Sequence, residues 1–197
     1  MRIAGILLAA GAGTRFGGGK LLARLDDGST IGGRACANLL AAVSKVFAVV
    51  RTGDDELARE LAATGALTTV CADAHSGMGA SLAHGVQMAG AGDADAVLVA
   101  LADMPWIRPA TLAAVAAELR RGRALVVPRY QGRRGHPVGF ARVHFPELTR
   151  LGNDEGARDL IATAANVCWI DVDDPGVLRD VDVPGDLGPQ RTGENPP

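Results

Sequence analysis

Ile3 to Leu8 form an almost unbroken apolar run, and a loop holding Gly11, Gly13, Gly17, Gly18 and Gly19 follows at once. A run without polar alternation is the pattern of a strand buried on both faces, as in sheets covered by helices on either side. The same loop carries Arg15 and Lys20. Glycines let backbone N–H groups approach a ligand at little steric cost, and two cations beside them suit a polyphosphate. The first twenty residues therefore predict a strand-to-loop junction that binds phosphate.

The remainder of the chain alternates strand and helix patterns. A helix is expected over Ile31 to Val43, a buried strand over Val46 to Val50, and a helix capped by Asp54 or Asp55 that runs to about Ala63. Leu67 to Cys71 reads as a strand, Ser81 to Met88 as a helix, and Ala96 to Leu101 as another fully apolar strand. Pro109 opens a helix that Gly122 ends. Short strands are expected at Leu125 to Val127 and Pro137 to Phe140, with a turn over Tyr130 to Arg134 between them. A helix over Asp154 to Ala164 and a strand over Val167 to Val172 complete the pattern. This alternation predicts an α/β three-layer α/β/α sandwich with a Rossmann-like, mainly parallel sheet, whose ligands lie at the carboxyl ends of the strands.

Composition narrows the function. A length of 197 residues suits one domain, expected over 1–187, and the polar Gly- and Pro-rich stretch 188–197 is expected to be a disordered tail. A net charge of −2 gives no general attraction to nucleic acid or membrane. No apolar run approaches the ~18 residues of a membrane span. Met1-Arg2 leads straight into the first strand, so no signal peptide and a cytoplasmic location are expected. Cys36, Cys71 and Cys168 are scattered without zinc spacing and read as small hydrophobes. His75 and His84 read as surface residues.

Two common phosphate motifs fail. A Walker A loop would need Gly at Thr14 and Ser or Thr at Leu21. A Rossmann fingerprint would need Gly at Phe16, and Arg51 stands where its acidic ribose ligand belongs. The pattern that fits without a gap is L-A-A-G-x-G-x-R-[FM]-G-x-x-K, Leu8 to Lys20. It resembles the signature of the nucleotidyltransferase superfamily, and most closely its molybdopterin branch, the molybdenum cofactor cytidylyltransferases and guanylyltransferases. The resemblance extends over Ile3 to Leu187 through LADMP (Leu101 to Pro105), SGMGASL (from Ser76), YQGRRGHPVGF (Tyr130 to Phe140), NDEGARDL (Asn153 to Leu160) and DVDVPGDL (Asp180 to Leu187). The spelling leans to the cytidylyl type. The implied fold is that of nucleotide-diphospho-sugar transferases.

That resemblance implies a site. Leu8, Ala9, Ala10, Gly11, Gly13, Arg15 and Lys20 would bind the nucleotide, with Gly77 and Ser81 against base and ribose; Ser81 alone could equally be a helix cap. Arg15 and Lys20 would be the catalytic cations. Asp103, at the edge of a strand, would hold Mg²⁺ together with Asp182; Asp180 and Asp186 compete for the second position, and Asp186 reads better as a cap. Arg134, Gly135, His136 and Arg158 would face the acceptor, with Arg134 or His136 near its phosphate. Asn153 replaces the usual Gly of its motif, in a turn that Asn tolerates. The implied reaction is transfer of a nucleoside monophosphate from a nucleoside triphosphate, CTP by the spelling, to molybdopterin, with pyrophosphate released and the product passed to a molybdoenzyme or its chaperone. Alternatives are a guanylyl or sugar-phosphate transferase on the same site, a non-catalytic cofactor-delivery protein, or, on the Gly loop and Arg51 alone, an NADP-dependent oxidoreductase.

Overall fold

The first strand, β1 (Ile3–Leu8), is buried along its whole length and forms the middle of the sheet. The computed structural model describes residues 1–152 and 157–188. On one side β1 pairs in parallel with β2 (Val46–Arg51), which pairs in parallel with β3 (Leu67–Cys71). On the other side it pairs in parallel with β4 (Ala96–Leu101). Beyond β4 come β5 (Leu125–Tyr130), the two-residue β6 (Arg133–Arg134), β7 (Val138–Ala141) and β8 (Val167–Asp171). Among the described residues the sheet has eight strands in the order β3-β2-β1-β4-β7-β5-β6, with β8 beside β5. The strand β7 is antiparallel to both neighbours, and β8 is parallel to β5, so the sheet is mixed but mainly parallel.

Helices cover both faces. Alternate β1 residues Ile3 and Leu7 pack with α1 (Ile31–Leu40), α2 (Asp55–Thr64) and α4 (Pro109–Arg120). Ala4, Ile6 and Leu8 pack with α3 (Met78–Ala91), the single turn α5 (Phe145–Leu148) and α6 (Arg158–Thr163). Each fully enclosed Leu or Ile contributes about 1.5–3 kcal/mol. Two such layers on one sheet make the three-layer sandwich that the alternating pattern predicts.

Element boundaries differ from the expectations in informative ways. The helix α3 starts at Met78, not Ser81: Gly77, at φ 126°, stops the preceding turn and the helix begins directly after it. Asp54 sits at the start of α2 but does not cap it with its carboxylate, which accepts from Arg51 Nε instead (2.9 Å). The strand β5 runs through Pro128 to Tyr130. Proline removes a ladder donor, yet here it falls between the residues that pair with β7 and those that pair with β6. Gln131 and Gly132, both at positive φ, turn β5 into β6 as expected. The helix α1 stops at Leu40, although Val43 is still buried beyond it. The turn at Asn153 and the tail from residue 189 lie outside the described residues.

The segment after β8 returns across the carboxyl end of the sheet. Asp174, 2% exposed, anchors it. One of its oxygens accepts from Arg108 N (2.9 Å) and Thr111 Oγ1 (2.6 Å), at the start of α4; the other accepts from Gly176 N (3.0 Å). Gly176 lies so close to the Trp106 carbonyl that a Cβ would fall 2.2 Å from its oxygen. Asp174→Ala would strand these donors in a buried setting, which costs about 2–5 kcal/mol. The expected result is a melting temperature lowered by about 5–15 °C, measured by calorimetry; an unchanged melting temperature would refute the anchoring role.

Candidate active site

The loop after β1 turns twice. Thr14–Phe16 and Lys20–Leu22 are single 3-10 turns, and the glycines flanking them (Gly13, Gly17 and Gly19) all adopt positive φ. The second turn drives Leu21 into the core and directs the Lys20 side chain inward, where it is only 10% exposed. A cation so enclosed needs a partner. Lys20 Nζ donates to Asp103 Oδ2 at 2.7 Å and lies 3.8 Å from Asp182 Oδ1. Arg15, which is largely exposed, donates to Asp182 Oδ2 at 2.7 Å.

Each carboxylate is held by its own backbone. Asp103 follows β4, in a loop that Asn38 pins from α1 by donating to the Pro105 and Ile107 carbonyls. The Asp103 carbonyl accepts from Val181 N (2.9 Å), which docks the returning segment one residue before Asp182. Asp186 then accepts from Asp182 N and Val183 N, both at 2.8 Å. Those bonds hold the Asp186 carboxyl below its ordinary range. Asp186 therefore caps the last turn, as expected, and Asp182 is the carboxylate that meets the two cations. Asp180 lies close by: burial raises its pKa, and repulsion from Asp103 and Asp182 adds to this.

Two cavities open at the carboxyl ends of the strands. The larger, about 640 Å³, is bounded by the loop at Ala10, Gly11 and Lys20, by Arg51 and Thr52 after β2, by Gly77 and Ser81 at the start of α3, and by Asp103. No side chain caps the first N–H groups of α3, which leaves them available to a ligand. The smaller, about 330 Å³, is walled by Leu82, Val99, Val127, Phe140 and Ile161, with Arg134, Gly135, His136 and Arg158 at its edge. Leu8, Met78 and Leu101 belong to both. The structure thus brings together Arg15, Lys20, Asp103 and Asp182. It gathers Leu8, Ala10, Gly11, Gly77 and Ser81 around one cavity and Arg134, Gly135, His136 and Arg158, the residues expected to face the acceptor, around the other. Ala9 is buried against the core, and Gly13 shapes the loop beside Lys20. Sequence reasoning missed Thr52, His75 and Met78 as cavity residues, and weighed Arg51 only against a dinucleotide site, where it replaces the acidic ribose ligand and could suit NADP. Their signal was position, since each follows or precedes an element that ends at this edge of the sheet.

Charge in the site fits a divalent cation. Among the described residues, Asp103 and Asp182 are paired with Lys20 and the exposed Arg15, and Asp180 lies near them. Among the described residues no group of three or more Asp, Glu, His or Cys is placed to hold a metal unaided. An ion on Asp103 and Asp182 would thus need oxygens from a bound phosphate or water to complete its shell. The smaller cavity draws its charge from Arg134 and Arg158, because burial pushes the His136 pKa down from 6.5 to about 4. Asp103 opposes that shift and Arg134 adds to it, and the His136 Nδ1 has no hydrogen-bond partner. Unfolded chains take up this proton below about pH 6.5, whereas the native state does so only near pH 4. Stability should therefore fall as pH drops through that window. Denaturation at pH 7 and pH 5 checks this: His136→Gln should flatten the pH dependence, and an unaltered slope would refute the assignment.

The site residues lie within, or close to, the part of the chain that matches known proteins. Residues 5–167 match the MobA-like NTP transferase domain. The purine catabolism protein PucB of Bacillus subtilis is 31% identical over 190 residues, covering 91% of each chain. The phosphoenolpyruvate guanylyltransferase of Streptosporangium roseum is 34% identical over 157 residues, covering 78% of this chain and 68% of that protein. Among solved structures, Rv0371c of Mycobacterium tuberculosis is 29% identical with a TM-score of 0.82, covering 94% of this chain and 95% of that one. The same protein has also been solved in complex with manganese, at a TM-score of 0.75 and 27% identity, covering 94% and 96%. Sequence and fold agree across most of the chain: it belongs to the MobA-like NTP transferase family and is a nucleotidyltransferase.

Proposed function

We propose that this enzyme joins the nucleoside monophosphate of CTP to the terminal phosphate of molybdopterin, in the presence of Mg²⁺, and releases pyrophosphate. The observation that carries the reading is the convergence of Arg15, Lys20, Asp103 and Asp182 beside two adjoining cavities. One cavity has the loop and helix start that suit a nucleotide. The other has an apolar body for a flat ring system and two arginines for a phosphate. Their common wall at Leu8, Met78 and Leu101 leaves a nucleotide in one next to an acceptor in the other.

The chemistry needs no side-chain nucleophile. An oxygen of the acceptor phosphate attacks the α-phosphorus, a new P–O bond forms, and the bond to the β-phosphate breaks. The acceptor oxygen is already anionic, so catalysis consists of positioning and charge stabilisation. Lys20 and Arg15 release their carboxylates to grip the triphosphate and the departing pyrophosphate. Asp103 and Asp182 would hold Mg²⁺, which when bound neutralises phosphate oxygens. Arg134 and Arg158 draw in and orient the acceptor phosphate. The domain is the stretch 1–187, and the product passes to a molybdoenzyme or its chaperone.

A second reading, guanylyl transfer or a different anionic acceptor, is favoured by the relative described as a phosphoenolpyruvate guanylyltransferase. Pyrophosphate release decides between them: purified protein is supplied with CTP or GTP, and with molybdopterin or phosphoenolpyruvate. CTP with molybdopterin should be fastest; a faster rate with any other pairing would overturn the proposal. Asp103→Ala should lower that rate by at least about a hundredfold without changing the circular dichroism spectrum, and normal turnover would refute the metal role. Asp182→Asn should lose as much, whereas Asp180→Asn should keep most of the activity. The reverse ranking would move the second ligand position to Asp180.

A further inference from the structure

We propose that Arg51 selects the base of the nucleotide, admitting cytosine or guanine and disfavouring adenine and uracil. This rests on the reading of the larger cavity as the nucleotide site. The sheet supplies the geometry. Asp103 follows β4, and β2 lies two strands away across β1. Adjacent strands are about 4.8 Å apart, so the ends of β2 and β4 are separated by about 10 Å. With the reacting phosphates at Asp103 and Lys20, the opposite end of the nucleotide, its base, reaches the ends of β2 and β3. Arg51 is the last residue of β2, paired in register with Cys71, the last of β3.

The cavity offers little else there with charge. Among the described residues lining it, Lys20, Asp103 and Arg51 are the charged ones, and the first two pair with each other. Arg51 is tethered through Nε to Asp54 Oδ2 at 2.9 Å. That bond occupies one edge of the guanidinium and leaves its terminal nitrogens to a ligand. Two donors fixed side by side in a plane match two acceptors side by side. Guanine presents such a pair at O6 and N7, and cytosine at O2 and N3. Adenine alternates acceptor with donor, and the two uracil oxygens flank an N–H.

Calorimetric titration tests the proposal with the full-length protein and Mg²⁺, using CTP, GTP, ATP, UTP and inorganic tripolyphosphate. The wild type should bind CTP or GTP roughly tenfold or more tighter than ATP and UTP, the discrimination of one paired contact. Arg51→Lys keeps the charge but not the planar fork. It should bring the four nucleotides within about threefold of one another and leave tripolyphosphate binding unchanged, with the same melting temperature as wild type. An Arg51→Lys protein that retains the wild-type preference would overturn the proposal. So would equal weakening of tripolyphosphate and all four nucleotides, which would assign Arg51 to the phosphates, or a wild-type preference for ATP or UTP. Wild-type protein that binds none of the five would instead remove the nucleotide-site reading itself, and the proposal with it.

Discussion

A lysine ammonium that is almost enclosed cannot stand alone in a folded protein, and the arrangement of this site follows from how Lys20 is satisfied. Its nearest oxygen, on Asp103, comes from the loop that follows β4, the strand beside β1. Its second, on Asp182, comes from a segment that returns after the last strand. The apolar layers on both faces of the sheet supply the stability that lets this charged edge exist. The two cations differ in what their pairings contribute. The Arg15–Asp182 pair is exposed and adds at most about 1 kcal/mol. Arg15 can thus exchange its carboxylate for a phosphate at little cost. Removing a partner of Lys20 is more serious, because the enclosed charge would be left uncompensated.

Much of the fold was legible because buried parallel strands are unusually plain in sequence. Ile3 to Leu8 and Ala96 to Leu101 were readable to the residue, since a strand covered on both faces cannot carry polar side chains; Leu67 to Cys71, whose side chains are mostly exposed, was marked instead by its β-branched Thr68, Thr69 and Val70. Boundaries failed where a local rule met a tertiary contact. The strand expected to stop at Val127 runs on to Tyr130, because Pro128 falls between the residues that pair with β7 and those that pair with β6. Asp54 reads as a cap yet is taken by Arg51. Ser81 reads as a cap yet lies inside α3, because Gly77 ends the turn sooner.

The site was legible in its parts but not in its assembly. Arg15, Lys20 and Asp103 lie in motifs whose spelling announces them. Three aspartates crowd the stretch from Asp180 to Asp186, and spelling alone ranks them only by motif position. Geometry separates them, with Asp182 on the cations, Asp186 on the backbone and Asp180 at the surface near Asp103, Asp182 and Lys20. Residues that act by location carry no local mark. Asp174 is one more acidic residue in a polar stretch until α4 is packed against it, and the apolar wall of the second cavity reads simply as core.

The return of the C-terminal segment also has a consequence for how the protein comes into being. A ribosome releases the loop, Lys20 and Asp103 long before it makes Val181, whose N–H docks on the Asp103 carbonyl. Until then the sheet can form in its central four strands, but the ammonium has one carboxylate and the edge of the site stands open. The set of Arg15, Lys20, Asp103 and Asp182 therefore comes together only after the segment from Val181 to Asp186 has been made. A chain cut short before that point would leave Arg15 without its carboxylate and Lys20 with one oxygen in place of two.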